Sequence, residues 1–311
     1  KKNLELKKNK ILIAGGTGFI GYHLAKKCLN LKWSVVSIST KSPIKKRRLK
    51  DVKYLKLDIS QKKLLSNLPT DFDYIVNLAG YVDHSDKIRT MRSHFYGCKN
   101  LAMYFKDKNI KKFIQIGSSI EYGKLKSPQK ENKKNLQKSY SVYGKAKLLS
   151  TKFLLSLYKK YNFPVSILRL YLVYGPKQDK NRVIPITILN AIKNKRFDCS
   201  SGNQLRDFIY IDDLINVLMK ILKKKKLDGE IINIGSGKTI SIKKLILKIC
   251  KISKGGHPQF GKIPLRKDEI IKLYPLLSKV KKSVSWHARV SLDKGLKRTI
   301  NYFKKEIKIS Y

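Results

Sequence analysis

Tyrosine–lysine pairs with the spacing Tyr-x-x-x-Lys are the residues of this 311-residue chain that could carry proton-transfer chemistry. A free tyrosine ionises only near pH 10, so an adjacent ammonium group must stabilise its phenolate at neutral pH. On a helix, a spacing of four places both side chains on the same face. With 17 tyrosines in a lysine-rich chain, about three matches are expected by chance, so spacing alone selects no site. Four pairs occur: Tyr22/Lys26, Tyr104/Lys108, Tyr122/Lys126 and Tyr143/Lys147.

A glycine-rich turn is the strongest local signal for a bound ligand. Gly15, Gly18 and Gly21 recur at three-residue spacing, directly after an apolar strand pattern and at the start of a helical pattern. Such a triplet permits a tight turn, close approach of the backbone to a pyrophosphate, and close packing of the helix on the sheet. The pyrophosphate would lie against free N–H groups at the helix N-terminus. The segment therefore predicts a dinucleotide cofactor.

The choice between NAD and NADP depends on the end of the second predicted strand. An acidic residue there would accept hydrogen bonds from the adenosine ribose of NAD. This chain has Ser39, Thr40 and Lys41 at that point, followed by a Lys/Arg run at 45–48. Because no carboxylate would repel a 2′-phosphate, we expect NADP, with NAD as the alternative. Asp58, after the third strand, either hydrogen-bonds the adenine or is a solvated residue at a strand end.

Strand and helix patterns alternate through the first half of the chain. The alternation predicts right-handed crossovers and a parallel, doubly wound sheet. After residue 175 it weakens into helices separated by loops, which indicates a smaller carboxyl-terminal domain. We therefore expect an α/β fold with a Rossmann-type cofactor domain at 1–175 and a smaller substrate-binding domain at 176–311. Some segments of 176–311 can belong to the first domain. The predicted strands are 10–14, 34–39, 52–57, 73–79, 112–117 and 165–173, and the predicted helices are 20–31, 61–68, 88–106, 142–161, 184–193, 213–223, 242–252 and 292–305.

The composition narrows the function classes. A formal charge of +49 at pH 7 suggests an anionic partner, but the lysines are spread over every predicted helix and loop, and arginine is scarce. We therefore expect no nucleic-acid function. The four cysteines are far apart and the five histidines form no ligand cluster, so we expect reduced thiols, a cytoplasmic protein and no metal site. No apolar run approaches the roughly 18 residues of a membrane span, so we expect no membrane contact.

Eight short motifs follow one another along the chain. Their order and spacing resemble the extended short-chain dehydrogenase/reductase family, which contains nucleotide-sugar epimerases, dehydratases and reductases. The resemblance extends from about residue 10 to residue 303, and it implies a nucleotide-sugar substrate and a homodimer formed through the fourth and fifth helices. The motifs are GGTGFIG, LDIS, VNLAG, GSSIEYG, YGKAK, RLYLVYGP, RDFIYIDD and NIGSG.

The resemblance also selects one of the four tyrosine–lysine pairs. It implies that Tyr143 exchanges a proton with a sugar oxygen, while Lys147 stabilises the phenolate and holds the nicotinamide ribose. Ser118 would hydrogen-bond the same sugar oxygen, with Ser119 as the alternative residue for that role. The motifs further imply cofactor contacts by Gly15, Thr17, Gly18, Phe19, Ile20, Gly21, Thr40, Lys41, Asp58, Ile59, Leu78, Ala79, Gly80, Tyr143 and Lys147, and substrate contacts by Ser119, Arg206 and Arg266.

The residues around these positions favour one reaction class. Dehydratases of the family carry acidic residues after the Ser/Thr position, whereas Ser119 and Ile120 stand here. Glu121 comes one place late, where strand alternation would turn it away. Leu172 and His94 stand where many epimerases carry asparagine. We therefore expect reduction of the 4-keto group of a nucleotide-linked 4-keto-6-deoxyhexose, with a 4-epimerase as the alternative.

A non-catalytic protein of the same fold is the alternative from another class, either an RNA-binding or a redox-sensing module. The intact Ser118, Tyr143 and Lys147 argue against it, because a binding module has no need of them. Tyr81 and His84, after VNLAG, either border the sugar pocket or are surface residues without a role.

Overall fold

The computed structural model of the protein describes residues 8–132, 141–266 and 269–309. The strands in these ranges are β1 (Lys10–Ala14), β2 (Ser34–Ser39), β3 (Val52–Lys56), β4 (Tyr74–Asn77), β5 (Lys112–Ser118), β6 (Val165–Leu170), β7 (Leu172–Tyr174), β8 (Arg196–Asp198), β9 (Leu205–Tyr210), β10 (Glu230–Ile234), β11 (Thr239–Ser241), β12 (His257–Gln259) and β13 (Lys272–Leu273). The helices are α1 (Phe19–Asn30), α2 (Lys87–Met91), α3 (Gly97–Phe105), α4 (Val142–Tyr161), α5 (Val183–Ile192), α6 (Ile211–Leu222), α7 (Ile242–Ser253), α8 (Ser278–Val284) and α9 (Leu292–Ile309).

A seven-stranded sheet has the strand order β10-β6-β5-β4-β1-β2-β3. Strand β1 pairs in parallel with β2 and β4, and parallel pairing continues from β2 to β3 and from β4 to β5. The strand order reverses at β1, and doubly wound sheets bind ligands outside the carboxyl ends of the strands at such a point. The predicted fold class is confirmed: the chain is α/β, with a Rossmann-type, doubly wound parallel sheet.

Burial along each strand follows from its place in the sheet. All residues of β4 and β6 are buried, as expected for central strands covered by helices on both faces. The edge strand β3 keeps only Val52 fully buried. Leu12, Ile75 and Phe113 from neighbouring strands share one apolar core with Leu101 of α3. This core fixes the carboxyl ends of the strands that carry the predicted site.

The chain divides into two compact units. The first contains the described residues of Lys1–Gly123, Asn132–Arg169 and Ile215–Ile232, and the second contains those of Lys124–Glu131, Leu170–Leu214 and Asn233–Tyr311. The sequence predicts domains at 1–175 and 176–311, with segments of the second that can return to the first. Most of α6 and the start of β10 belong to the first unit, and a short segment before α4 belongs to the second.

A smaller sheet organises the second unit around β9. This strand pairs in parallel with β7 and β13 and antiparallel with β11. Strands β8 and β12 form a separate parallel pair. Helices α5, α7 and α9 pack against one another in the same unit.

Three predicted elements differ from the structure in their local form. The helix predicted at 61–68 is a 3-10 helix at Lys62–Asn67. The helix predicted at 88–106 contains a π turn at Arg92–Tyr96, between α2 and α3. The single strand predicted at 165–173 breaks at Tyr171. There the Tyr171 N–H donates to the Ile234 carbonyl at 3.0 Å, and the chain continues as β7 to pair with β9.

Across the described residues, no helix combines the length and the apolar character needed to span a bilayer. The same residues contain no group of three or more His, Cys, Asp or Glu side chains arranged to hold a metal ion. Cys28, Cys98, Cys199 and Cys250 are free thiols. Burial raises the pKa of Cys28 and Cys98 to about 12, so these two thiols stay protonated and unreactive at neutral pH.

Candidate active site

The glycine turn joins β1 to α1 at the carboxyl end of the sheet. Gly15 has a φ of +79°, and a Cβ atom on it would lie 2.8 Å from the backbone nitrogen of Ala79. A side chain there would therefore require the backbone after β4 to move. A Cβ atom on Gly21 would lie 2.5 Å from Cα of Gly16, so glycine lets α1 begin directly against the turn. The Gly15 N–H donates to the Ile38 carbonyl at 2.8 Å, which links the turn to β2.

The N-terminus of α1 has the features of a pyrophosphate site. Gly18 is the N-cap residue and no side chain caps the helix, so its first N–H groups can meet an anion. In the first turn, Phe19 is buried and Ile20 is half-buried. The hydroxyls of Thr17 and Ser39 share a hydrogen bond of 2.9 Å, which joins this turn to the end of β2. These residues fit the cofactor that the sequence predicts.

The expected adenosine end of the site has hydroxyl and ammonium groups after β2. Strand β2 ends at Ser39, and the following Thr40 and Lys41 are exposed. Asp58, after β3, accepts a hydrogen bond from the Ser60 N–H at 2.9 Å. This local turn is typical of an Asp at a strand end, and it engages Oδ1 of Asp58 in a hydrogen bond with the backbone.

The segment after β4 is held by a buried polar pair. The Ala79 N–H donates to Oδ1 of Asn77 at 3.1 Å, and Nδ2 of Asn77 donates to Oε1 of Gln115 at 2.8 Å. The sequence singled out neither polar residue, because a polar position inside an apolar strand pattern reveals its partner only in the folded structure. Among the predicted cofactor contacts here, Ile59 is buried, Leu78 and Ala79 are half-buried, and Gly80 is exposed.

Tyr143 and Lys147 are held where α4 begins beside β5. The Ser141 hydroxyl accepts from the Gly144 N–H at 3.0 Å and so caps α4 just before Tyr143. Lys147, one turn later, is 4% exposed, and its Nζ donates to the Ile116 carbonyl of β5 at 2.7 Å. That Nζ lies 5.9 Å from the centre of the Tyr143 ring. A positive charge is therefore fixed beside the tyrosine, as stabilisation of a phenolate requires.

Ser118 ends β5 and begins a 3-10 turn, Ser119–Tyr122. Its hydroxyl accepts from the Ile120 N–H at 3.4 Å, and its own N–H donates to Oε1 of Glu121 at 2.8 Å. Ser118 is half-buried whereas Ser119 is buried, so Ser118 is the more accessible residue of the two.

The 3-10 turn directs Glu121 into the protein core. The expectation that strand alternation turns this residue away is wrong, because the chain is no longer a strand at this point. Oε2 of Glu121 accepts from Oγ1 of Thr151 at 2.7 Å and lies 2.8 Å from Nη2 of Arg169 in β6. The Arg169 guanidinium also covers the ring of Tyr122, at 4.3 Å from its centre. Since Ser118 holds the other oxygen, both oxygens of Glu121 are engaged.

The other three tyrosine–lysine pairs have different surroundings. The Tyr104 hydroxyl donates to the Leu68 carbonyl, and burial raises the pKa of Tyr104. Burial likewise raises the pKa of Tyr22 in α1. Tyr122 is 3% exposed. Tyr143, in contrast, is half-buried and stands at the start of the helix that follows β5.

Two histidines contact Tyr143, and the sequence assigned a catalytic role to neither. The His84 ring stacks on the Tyr143 ring, with centroids 3.9 Å apart and an angle of 10° between the planes. His94 meets the same ring at 4.9 Å and 72°. Burial, together with the charge of Lys147, lowers the pKa of His94 to about 2, so its imidazole is neutral. The sequence offers two signals for them: His94 stands where the family often has asparagine, and His84 follows VNLAG, where it either borders the sugar pocket or is a surface residue without a role.

The predicted substrate arginines lie in the second unit. Arg206, in β9, is buried and forms an ion pair with Glu269, and its Nη1 donates to the Leu205 carbonyl at 2.9 Å. Arg266 is exposed. The same unit contains a cavity of about 230 Å³, whose lining includes Tyr174, Gln178, Asn181, Arg182 and Phe208.

Comparison with known sequences extends over most of the chain. The sequence model of the NAD dependent epimerase/dehydratase family matches residues 11–235. A dTDP-D-glucose 4,6-dehydratase of Dictyostelium discoideum is 31% identical over 272 residues, which cover 78% of this chain and 62% of that protein. A UDP-N-acetyl-alpha-D-glucosaminuronate decarboxylase of Bacillus cytotoxicus is 29% identical over 318 residues, which cover 96% of this chain and 98% of that protein. The chain thus spans less than two thirds of the first relative and nearly all of the second.

Solved structures show the same fold. A UDP-glucuronic acid 4-epimerase from Bacillus cereus, in complex with UDP-glucuronic acid and NAD, matches with a TM-score of 0.85 and 28% identity over 96% of this chain and 99% of that one. A UDP-glucose 4-epimerase from Thermotoga maritima matches with a TM-score of 0.89 and 24% identity over 96% of this chain and 99% of that one. This second match shows a similarity of fold. The family match covers the glycine turn, Ser118, Tyr143 and Lys147. The chain therefore belongs to the NAD-dependent epimerase/dehydratase family, within the extended short-chain dehydrogenases/reductases.

Proposed function

We propose that this protein is an NADP-dependent reductase of nucleotide-linked sugars that reduces the 4-keto group of a 4-keto-6-deoxyhexose. The observation that carries the proposal is the arrangement of Tyr143 at the start of α4, with the Lys147 ammonium 5.9 Å from its ring. Ser118, at the end of β5, supplies a third polar group. Such an arrangement serves proton exchange with a sugar oxygen coupled to hydride transfer at its carbon.

Each residue of the trio has a separate task in the reduction. When bound, the reduced nicotinamide supplies the hydride that the C4 carbon of the sugar accepts. Tyr143 donates its phenolic proton to the keto oxygen, which takes up the electron pair of the C=O π bond. The Lys147 ammonium stabilises the resulting phenolate, and Ser118 donates a hydrogen bond to the same sugar oxygen. Solvent then returns a proton to Tyr143, and the products are the 4-hydroxy sugar and the oxidised cofactor.

The surroundings of Glu121 support reduction over elimination of water. A dehydratase needs acidic residues that are free to exchange protons with the sugar next to the Ser/Thr position. In this chain Glu121 is the nearby acid, and its oxygens are held by Ser118, Thr151 and Arg169 in the core. Both oxygens of this buried carboxylate are thus taken by protein partners and are not free to contact a sugar.

The end of β2 supports NADP. Ser39, Thr40 and Lys41 offer hydroxyls and a cation where an NAD site would have a carboxylate. An epimerase regenerates its cofactor in every turnover, whereas a net reductase must exchange it and draws on NADPH. NAD remains the alternative, because the Bacillus cereus relative was solved with NAD.

The second unit supports a nucleotide diphosphate on the sugar. Arg206 presents a guanidinium that can hold a diphosphate through two parallel hydrogen bonds, once it leaves Glu269. Exposed Arg266 offers a second cation. The cavity beside Tyr174 and Phe208 combines aromatic and amide groups, as nucleotide pockets do.

A 4-epimerase is the second candidate. It is favoured by the Bacillus cereus 4-epimerase, which matches 96% of this chain at 28% identity. The two candidates differ in their net use of cofactor. A reductase consumes NADPH in proportion to product, whereas an epimerase interconverts two sugars without added reductant.

Purified protein should be incubated with NADPH and the dTDP-, GDP- and CDP-linked 4-keto-6-deoxyhexoses, while NADPH absorbance is followed. We expect NADPH to be oxidised with at least one of them, in equal amount to the 4-hydroxy sugar formed. Epimerisation of UDP-glucose without added cofactor, together with no oxidation of NADPH, would establish the second candidate instead.

We also infer a homodimer. The helical segment formed by α2, the π turn and α3 has three exposed apolar residues. Ile88, Tyr96 and Met103 expose 74%, 49% and 41% of their surfaces. A second copy of the chain would cover this apolar row. Light scattering of the purified protein should give twice the chain mass, and Ile88→Lys should shift it towards the mass of one chain. A wild-type protein of single-chain mass at all concentrations would contradict the inference.

A further inference from the structure

The Tyr143 ring is enclosed by two histidines that come from different elements. His84, in the loop after β4, covers one face at 3.9 Å with nearly parallel planes. His94, in the π turn, meets the ring at a steep angle, with centroids 4.9 Å apart. Aromatic rings in these two arrangements attract each other and restrict each other's rotation. The hydroxyl of the tyrosine therefore has its direction set by its neighbours as well as by α4.

The loop that carries His84 is anchored through Tyr81. The Tyr81 carbonyl lies 3.0 Å from Nε2 of His94, and the Tyr81 N–H donates to Oγ of Ser93 at 2.9 Å. Because His94 is buried and neutral, the ring nitrogen facing a carbonyl must be the protonated one, so Nε2–H is the donor. Gly80 makes room for this contact, since a Cβ atom there would lie 1.9 Å from Cε1 of His94.

The backbone of His94 is in turn attached to α4. The His94 carbonyl lies in the π turn, where it accepts a hydrogen bond from Oγ of Ser150 at 2.8 Å. Ser150 follows Lys147 by nearly one helical turn, so the same helix holds the catalytic pair and the π turn. These contacts form a closed circuit. Ser150 of α4 binds the His94 carbonyl, the His94 ring binds Tyr81, and the loop that begins at Tyr81 carries His84, which stacks on Tyr143 of α4. Single π turns of this kind are frequent at functional sites.

We propose that Tyr81, His84 and His94 form a clamp that positions Tyr143 for proton transfer, His84 by stacking on its ring and His94 by anchoring the loop. The clamp rests on the proposed function only through the role of Tyr143. Its members are positioning residues, because they act on the sugar through the tyrosine. Loss of orientation at a proton donor lowers turnover more than binding.

The first experiment separates stacking from other properties of His84. We expect His84→Ala to lower kcat about tenfold in whichever of the two proposed reactions the wild type catalyses, with KM and NADPH binding unchanged within about twofold. His84→Phe keeps a flat ring and should restore kcat to within about twofold of the wild type. Val82→Ala, in the same loop and 69% exposed, is the matched control. Undiminished kcat in His84→Ala, or equal losses in the alanine and phenylalanine variants, would overturn the clamp.

The second experiment needs no turnover. In a chain labelled at the histidine rings, the ring signals of His84, assigned by their loss in His84→Phe, should be shifted by the ring current of Tyr143. Tyr143→Leu should abolish that shift. Removing either anchor, in His94→Phe or in Ser93→Ala, should reduce it, and the serine variant remains informative if His94→Phe fails to fold. Signals of His84 that are the same in the wild type and in Tyr143→Leu would disprove the contact. A wild type that catalyses neither reaction would instead refute the proposed function and leave this readout valid.

Discussion

The glycine turn between β1 and α1 is built from backbone, whereas the surroundings of Tyr143 are built from side chains that several elements contribute. At the turn, Gly15 and Gly21 leave no space for a Cβ atom, so local residue type determines the geometry. Around Tyr143, the decisive contacts come from Lys147, His84 and His94, which a single chain segment does not bring together. The first region is suited to holding a cofactor, and the second to moving a proton. Damage to one should therefore leave the other largely intact.

The largest effect is expected from Tyr143→Phe, which removes the proposed proton donor and keeps the ring. We expect kcat to fall about 10³-fold, since general acid catalysis contributes about 10²–10⁴-fold. NADPH binding, followed by fluorescence, should change less than about twofold because the glycine turn is untouched. Tyr161→Phe, at the exposed end of α4, serves as control. Turnover of the Tyr143 variant at the wild-type rate would remove Tyr143 from the chemistry.

Acid should destabilise the surroundings of Tyr143 through His94. Burial lowers the pKa of His94 to about 2, below the roughly 6.5 of an unfolded histidine. The unfolded chain therefore binds a proton that the folded chain does not. The stabilisation is complete above the unfolded pKa and is lost as the pH falls towards the folded one. Each pH unit in this window costs about 1.4 kcal/mol of unfolding free energy.

Urea unfolding of the wild type and of His94→Phe at several pH values would measure this dependence. Between about pH 6.5 and pH 4.5, the wild type should lose about 2–3 kcal/mol more than the variant, which has no imidazole to protonate. The other titrating groups are common to both chains and cancel in the difference. Parallel pH dependences would show that His94 is not held neutral in the folded protein.

Gly15→Ala tests the turn. The positive φ of Gly15 and the backbone of Ala79 at 2.8 Å should make the variant about 1–3 kcal/mol less stable and weaken NADPH binding. Gly261→Ala is a matched control, because Gly261 also has a positive φ, +83°, but its added Cβ atom would meet nothing within 4 Å. Equal losses of stability in both variants would show that backbone strain, and not close approach to the segment after β4, explains the glycine.

The smallest effect is expected from Lys41→Glu, which places a carboxylate after β2. Repulsion of the 2′-phosphate should raise the Kd of NADPH about tenfold and leave that of NADH nearly unchanged. Lys27→Glu makes the same change of charge on exposed Lys27, more than two helical turns from the glycine turn. Equal weakening in the two variants would identify a general effect of net charge instead of a 2′-phosphate site.

The same contrast explains which features could be predicted from the sequence. The glycine turn and α4, predicted at 142–161 and observed at Val142–Tyr161, depend on local residue type and periodicity. The π turn could not be predicted, because Arg92–Tyr96 continues an ordinary helical pattern and widens only where Ser150 takes up the His94 carbonyl. The stacking of His84 depends on a loop without periodicity, whose course is fixed by distant partners.

The sequence predicts correctly that Glu121 points away from the site, but it predicts the wrong cause. The spacing of Glu121 from Ser118 predicts strand alternation, but the chain leaves β5 at Ser118 and turns. The direction of the carboxylate is decided by Arg169 and Thr151, which lie on other elements. Local pattern therefore predicts the sheet and the glycine turn well, whereas the partners of buried charges require the folded structure.

Hydride transfer from the cofactor to the sugar can be followed directly with NADPH deuterated at C4 of the nicotinamide, on the face from which hydride leaves. The protein should convert a nucleotide-linked 4-keto-6-deoxyhexose into a 4-hydroxy sugar that carries one deuterium at C4, detected by mass spectrometry and NMR. Tyr143→Phe should form almost none of this product. A 4-hydroxy sugar without deuterium, or interconversion of 4-hydroxy sugars with no label gained from added NADPH, would contradict net reduction.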